Sequence, residues 1–175
     1  MTELLLVRHG ETDWNAERRW QGHADVPLNE RGRDQARALA EELAAGAPID
    51  IVYSSDLARA HETGEIVADR LGLDLVLEPD LREIDVGSRQ GRTWMEIDDG
   101  PEWDGEPIER HAGRIIDVLV RVGRRHEGAR VLVVTHGGSM HRVHEHLDLP
   151  VTRIANCSIW ACAVHGETFV PLAQS

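Results

Sequence analysis

The sequence of 175 residues contains no lysine, one tyrosine, one phenylalanine and two cysteines. It has no apolar run approaching the roughly 20 residues that a transmembrane helix needs, so we expect no membrane span. The apolar run 4–7 has no basic segment before it and meets Arg8 at once, so it does not predict a signal peptide. We therefore do not expect a protein that acts in a membrane.

The charge balance is strongly acidic. All 19 basic residues are arginine and are outnumbered by 31 acidic residues, which gives a formal net charge of −12. A surface of this charge repels nucleic acid and anionic membranes, because both are polyanions. We expect neither as a partner.

The two cysteines, Cys157 and Cys162, lie five residues apart in an apolar stretch. An odd offset in a strand puts two side chains on opposite faces of the sheet. We therefore expect two free, buried thiols and no disulfide, which is typical of a reducing, cytoplasmic compartment.

Alternating strand and helix patterns predict an α/β fold. The length corresponds to one domain, residues 1–175, with a short lid insertion at about 88–107. Short apolar runs predict strands, and apolar positions three and four apart predict helices between them. We expect a mostly parallel three-layer α/β/α sandwich, ending in two strands that pair antiparallel at an edge. The predicted strands are 4–7, 49–53, 75–77, 131–135, 159–164 and 168–172; the predicted helices are about 30–45 after Asn29, 57–71 capped by Ser55 or Asp56, 108–125, and one from His136 to about Leu147.

Basic side chains follow three of the predicted strands. Arg8 and His9 come after the first, Arg59 after the second, and His136 after the fourth. In parallel sheets, ligands bind beyond the carboxyl ends of the strands. Arginine presents a fixed fork of donors that matches phosphate oxygens, and glycines beside the histidines let backbone N–H groups approach an anion. The pattern predicts a site for a small phosphorylated molecule.

The motif at 6–15, LVRHGETDWN, resembles the opening motif of the histidine phosphatase superfamily, in the branch that includes cofactor-dependent phosphoglycerate mutases. Further blocks similar to that family follow in the same order at 27–36, 53–63, 81–87, 133–138 and 156–159. Between them, residues 88–90 and 105–107 depart from the family pattern inside the predicted lid.

The resemblance implies a role for each matched residue. His9 is the implied nucleophile, which becomes transiently phosphorylated, and Glu83 is the implied proton donor to the leaving group and then the base for water. No metal or other cofactor is expected, because arginine and histidine supply the positive charge. Four further side chains are implied to hold the phosphoryl group: Arg8, Asn15, Arg59 and His136.

The predicted function is that of a metal-independent phosphatase that hydrolyses small-molecule phosphate monoesters through a phosphohistidine. A mutase is an alternative, but the short lid favours access of water. A phosphatase of phosphohistidine proteins and a phosphate-binding regulator without turnover are further alternatives. Sugar phosphates, phosphoglycerate derivatives, nucleotide-precursor phosphates and phosphoserine are all compatible with the sequence, as is an oligomer.

Some residues have two interpretations. Glu11 and Asp85 are carboxylates that could replace Glu83 as the acid. Trp94 and Trp103 either wall the substrate pocket or anchor the lid on the core. The run His141, His144 and His146 could offer two zinc ligands, but one helix does not put all three on one face. We expect a solvated helix face there and no metal.

Overall fold

The structure is a computed structural model that describes residues 1–96 and 102–172, so part of the predicted lid lies outside the described residues. Six strands form one sheet with the order β3-β2-β4-β1-β5-β6. They are β1 (Thr2–Arg8), β2 (Ile51–Ser54), β3 (Leu75–Leu77), β4 (Arg130–Thr135), β5 (Ile159–His165) and β6 (Thr168–Pro171).

Helices connect the strands. They are α1 (Asp13–Ala16), α2 (Glu30–Ala45), α3 (Ala58–Leu71), α4 (Ile108–Arg125) and α5 (Gly137–His146), with short 3-10 turns at Pro79–Leu81, Gly87–Arg89 and Trp94–Glu96. Over the described ranges, no helix has both the length and the apolar character needed to cross a membrane.

The predicted α/β fold is confirmed. Strands β1 to β4 pair parallel, and β5 pairs antiparallel with both β1 and β6. The predicted antiparallel pairing of the last two strands is therefore correct, and the reversed strand lies one position inside the edge. The tight turn at Gly166, which has a positive φ of 61°, permits this reversal.

The central strands are buried on both faces. Leu4 and Leu6 of β1 pack on one side, against α4 and α5, whereas Leu5 and Val7 pack on the other, against α2 and α3. This division follows from the two-residue period of a strand. Two apolar layers thus hold β1 and β4 rigidly, and the loops that follow these strands begin from fixed points.

The predicted caps differ in their outcome. The Asn29 side chain accepts from the Gly32 N–H at 2.8 Å and begins α2, as predicted. For α3 the prediction of Ser55 or Asp56 is wrong, because the N-cap is Leu57 and its side chain makes no capping bond. The two polar side chains have tertiary partners instead.

Both cysteines are free, as expected. Cys162 is buried in β5 on the face that packs against α4 and α5, and Cys157 contacts the apolar cluster on the opposite face. Cys157 precedes β5 and is only partly buried, which corrects the prediction that both thiols are buried.

Candidate active site

A pocket of about 890 Å³ opens at the carboxyl ends of β1 and β4. Arg8, His9, Arg59 and Glu83 line it, and the His136 ring lies beside His9 with 5.2 Å between the ring centroids. The sheet order explains this convergence, because β1, β4 and β2 are neighbours and their following loops meet at one edge. The structure therefore brings together the residues that the three sequence motifs supply.

His9 has a defined tautomer. Its Nδ1 lies 2.7 Å from the carbonyl oxygen of Gly10. A carbonyl only accepts, so Nδ1 carries the proton and Nε2 keeps its lone pair. Burial, followed by the charges of Arg59 and Arg8, lowers the pKa of His9 well below its usual value. The ring is thus neutral at physiological pH, with a free nitrogen nucleophile.

His136 is oriented by Ser55. Its Nε2 lies 2.9 Å from Ser55 Oγ, which also accepts from the Leu57 N–H at 3.3 Å. The hydroxyl retains its own proton and donates it to Nε2, which places the ring proton of His136 on Nδ1. Burial, and then Arg59, lower the pKa of His136 well below its usual value, so the ring is a neutral donor.

The two arginines are held from behind by backbone carbonyls. Arg8 Nη1 donates to Ile154 O at 2.6 Å, and Arg59 donates to Ala24 O at 2.9 Å and to Gly22 O at 2.8 Å. Burial lowers the pKa of Arg8, and lowers that of Arg59 to about 10, so both remain cations at neutral pH. Their orientation is fixed before any ligand arrives.

Three buried donors around His9 lack a hydrogen-bond partner within the described part of the chain: Arg8 Nε, Arg59 Nε and His136 Nδ1. A buried polar group left unpaired costs about 1–3 kcal/mol. The N-terminus of α5, which begins at Gly137, adds partial positive charge on the same side. This arrangement is suited to the oxygens of a tetrahedral anion.

Glu83 presents its carboxylate to the pocket. Oε2 accepts from the Gly138 N–H and Oε1 from the Ile84 N–H, each at 2.9 Å. A side chain at position 138 would collide with this carboxylate, so the glycine is required by the close approach. The carboxyl group is fixed by main-chain donors, and its side chain is 16% exposed.

The alternative acids are less well placed. Asp85 is not among the described residues that line the pocket, and it accepts from the Gly87 N–H at 2.9 Å. Glu11 lines the pocket, but one carboxylate oxygen accepts from Asn29 Nδ2 at 3.2 Å and the other lies 3.7 Å from Arg31. Geometry favours Glu83 as the acid.

Two asparagines, Asn15 and Asn156, also line the pocket. Asn15, a predicted site residue, lines it, and its Oδ1 accepts from the Thr12 N–H at 3.1 Å. Asn156 Nδ2 donates to the backbone oxygen of His9 at 2.9 Å. Sequence reasoning gave Asn156 no role, although it lies in one of the family-like blocks.

Arg114 supports Glu83 from behind, and sequence reasoning missed it. The guanidinium donates to the backbone oxygens of Asp80, Arg82 and Glu83 at 2.6–2.9 Å and pairs with the carboxylate of Glu106 at 2.8–2.9 Å. It thereby ties the loop carrying the acid to the segment before α4. Only its place on a predicted amphipathic helix could have indicated it.

The two open predictions for the tryptophans have different outcomes. Trp94 lines the pocket and is 59% exposed. Trp103 instead anchors the chain, since its indole N–H donates to Glu106 O at 3.0 Å and the Arg89 guanidinium lies 5.1 Å from the ring centroid. Trp94 therefore walls the pocket, and Trp103 stabilises the segment before α4.

Two cations stand at the outer wall of the pocket. Arg18 and Arg153 both line it and are exposed. Neither forms a salt bridge with a carboxylate of the described residues, whereas most arginines elsewhere do. The charge of Arg153 contributes to lowering the pKa of Arg8, so its electrostatic field reaches the Arg8 guanidinium.

The predicted solvated face of α5 forms only in part, because His146 is exposed and His141 is half-buried. His144 is buried, with its ring 4.8 Å from the Trp160 ring, which corrects the expectation for this residue. His141 lines the pocket, and its Nε2 lies 3.0 Å from Thr152 O. Within residues 1–96 and 102–172, no group of three or more His, Cys, Asp or Glu side chains is arranged to hold a metal ion.

Comparison with known proteins identifies relatives along nearly the whole chain. The model of the histidine phosphatase superfamily (branch 1) matches residues 4–172. Phosphoglycerate mutase-like protein 4 of Arabidopsis thaliana is 42% identical over 160 residues, which cover 82% of this chain and 70% of that protein. The metal-independent phosphoserine phosphatase of the same plant is 41% identical over 161 residues, covering 82% and 68%.

Solved structures agree with these relatives. A mycobacterial glucosyl-3-phosphoglycerate phosphatase, solved in complex with VO3, superposes with a TM-score of 0.84 at 32% sequence identity. The match covers 97% of this chain and 96% of that one.

Proposed function

Because the chain belongs to branch 1 of the histidine phosphatase superfamily, we propose that it hydrolyses small phosphate monoesters through a phosphohistidine at Nε2 of His9. The main observation in support of this function is that three buried donors without a partner in the described chain surround the free lone pair of His9. Transfer of a negatively charged phosphoryl group requires a neutral nucleophile and nearby cations, which His9 and the two arginines provide.

In the first step, the lone pair of His9 Nε2 attacks phosphorus and the bond from phosphorus to the ester oxygen breaks. The leaving oxygen takes the proton of Glu83, because an alkoxide is a poor leaving group. Arg8, Arg59 and His136 donate to the equatorial oxygens, over which the transition state spreads its negative charge. Their fixed orientation means that little reorganisation accompanies the reaction.

In the second step, water attacks the phosphohistidine. The Glu83 carboxylate takes a proton from that water, the bond from nitrogen to phosphorus breaks, and His9 regains its lone pair. Asn15 contributes a further hydrogen bond to the phosphoryl group, and Asn156 holds the backbone of His9 through both steps. Inorganic phosphate then leaves through the mouth of the pocket.

The residues at the outer wall of the pocket favour a narrower class of substrate than phosphate monoesters in general. Arg18 and Arg153 are cations without a carboxylate partner among the described residues, beside the apolar surfaces of Trp94 and Val151. Two relatives are named for phosphoserine and for glucosyl-3-phosphoglycerate, which both carry a carboxylate near the phosphate. We therefore propose a metabolite whose leaving alcohol carries a second anionic group.

The cytoplasm is the compartment that we propose for this activity. Two free thiols and the absence of a disulfide in the described chain support a reducing environment. We further propose that the lid at 88–107 belongs to the same single domain, which the position of Trp94 in the pocket wall supports.

A phosphoenzyme assay tests the function. The protein is mixed with a ³²P-labelled ester and quenched in alkali, in which phosphohistidine survives. The wild-type protein should become labelled and release phosphate, and His9→Ala should do neither. The variant should still bind vanadate, because Arg8, Arg59 and His136 remain in place. If His9→Ala keeps a rate within about tenfold of wild type, the nucleophile is another group.

A reaction in H₂¹⁸O distinguishes a phosphatase from a mutase. Only transfer of the phosphoryl group to water puts ¹⁸O into the released phosphate.

A further inference from the structure

A buried histidine that the proposed chemistry does not use lies beside the acid. His111 of α4 is 1% exposed, and its Nε2 is 3.1 Å from Ser139 Oγ and 3.8 Å from Glu83 Oε1. The Ser139 hydroxyl lies 3.4 Å from the backbone oxygen of Arg82, to which it donates. It is left to accept from His111, so the imidazole proton is on Nε2 and faces Ser139 and Glu83.

The charges around His111 come from several elements. Glu83 and Glu106 face it from the loops, Arg114 from its own helix and Arg142 from α5. Burial dominates these charges and lowers the pKa of His111 to about 4, so the ring is neutral while the enzyme works. A neutral ring places no fixed positive charge beside Glu83, and its N–H bonds to Ser139, whose hydroxyl donates to the backbone oxygen of the adjacent Arg82.

This distinction matters because Glu83 has two states in the proposed cycle. It holds a proton before the leaving group departs, and it is an anion until water reacts. A permanent cation at this distance would favour the anion throughout and oppose the first step. A neutral donor supports the orientation of the carboxyl group in both states.

We propose that His111, together with Ser139, is a positioning residue for Glu83 that keeps its carboxyl group directed at the leaving oxygen and then at water. The inference rests on the proposed function of Glu83 as acid and base. His111 is buried and is not among the described residues that line the pocket, whereas Glu83 is, so His111 would act through Glu83 and not on the substrate.

Three variants on α4 test the proposal. His111→Leu removes the donor at similar size, His111→Gln restores an N–H near Nε2, and Ile115→Val alters a buried residue one turn along the helix. Rapid-quench phosphorylation is measured with phosphoserine and with p-nitrophenyl phosphate, whose leaving group needs no proton. His111→Leu should slow phosphorylation by phosphoserine about tenfold, part of the 10²–10⁴ available to general acid catalysis. It should slow the nitrophenyl ester less than about threefold, and vanadate affinity should not change.

The remaining variants should separate positioning from packing. His111→Gln should recover most of the rate with phosphoserine, and Ile115→Val should match wild type with both esters. The double variant Glu83→Gln/His111→Leu should be no slower than Glu83→Gln, because a residue acting through Glu83 has no effect without its carboxyl group. Ser139→Ala, which leaves the ring in place, should show the same dependence on leaving group and replaces His111→Leu if that variant does not fold.

Two results would overturn the inference. If His111→Leu slows both esters equally, or slows the Glu83→Gln background further, His111 only packs α4 against α5. If the wild type itself forms no phosphoenzyme with either ester, the proposed function fails, and this inference fails with it.

Discussion

Ser55 Oγ lies 2.9 Å from Nε2 of His136, and this contact determines which nitrogen of His136 carries a proton toward the pocket. Without the hydroxyl, the ring loses the partner that selects the Nδ1–H tautomer. Ser55→Ala should therefore weaken vanadate binding about tenfold, which corresponds to one hydrogen bond of roughly 1.4 kcal/mol.

The adjacent Ser54→Ala is the matched control. Its hydroxyl is also buried, but it donates to Ser55 O and not to His136. Isothermal titration with vanadate measures both variants. Equal losses in the two would mean that the effect comes from packing and not from the tautomer.

Replacing the acid should have an effect that depends on the leaving group. Glu83→Gln keeps the shape of the side chain but cannot donate a carboxyl proton. Phosphorylation by an alkyl ester should slow about 10²–10⁴-fold, and that by p-nitrophenyl phosphate much less. Rapid quench isolates this step from attack by water. An equal loss of phosphorylation rate with both esters would indicate that Glu11 or Asp85, and not Glu83, is the acid.

The outer arginines should recognise a second anion. Arg153→Ala should raise KM for phosphoserine about fivefold, close to the 1 kcal/mol limit of an exposed ion pair, and leave KM for phosphoethanolamine nearly unchanged. The latter ester lacks the carboxylate. Arg125→Ala, an exposed cation at the far end of α4, is the control. A similar rise for both esters would show that Arg153 attracts the phosphate alone.

Chelation should have no effect on the rate. Every group in the proposed chemistry is a side chain or a main-chain N–H, so activity should persist in excess EDTA. The assay is p-nitrophenyl phosphate hydrolysis before and after dialysis against the chelator. Inactivation that zinc reverses would instead favour His141 and His144 as metal ligands.

Stability should fall with decreasing pH, partly because of His111. Its folded pKa of about 4 lies below the unfolded value near 6.5, so the unfolded chain binds the proton more tightly. The stabilisation is complete above pH 6.5 and is lost as the pH falls toward 4, at up to about 1.4 kcal/mol per pH unit. Urea unfolding at pH 7, 6 and 5 should give a shallower dependence for His111→Leu than for wild type. Parallel curves would contradict the assignment.

Local patterns were sufficient for most of the fold. The helix over 108–125 matches α4 because its apolar spacing and its burial against the sheet agree. The first cap of α2 was predictable because Asn29 bonds to a group three residues away. The cap of α3 was not, because Asp56 pairs with Arg82 and Ser55 with His136, both distant in the chain.

Some residues of the candidate site could likewise be predicted from the sequence, and others could not. His9 and His136 each follow an apolar strand of a predicted parallel sheet, and the carboxyl ends of such strands share one edge, so their convergence could be inferred. The positions of His111 and Arg114 depend on how α4 lies across the loop of Glu83, which no spacing in the sequence encodes. His144 looked solvated because its helix carries polar residues, yet packing against Trp160 buries it.

Arg114 joins the loop of Glu83 to the segment before α4. One guanidinium holds both the main chain of Glu83 and the carboxylate of Glu106, which lies just before α4. The main chain of Glu83 and the segment before α4 therefore share one charged anchor. Neither of the two can then change position alone without breaking charge-assisted hydrogen bonds to the same guanidinium, so a single side chain sets where the loop of Glu83 lies relative to α4.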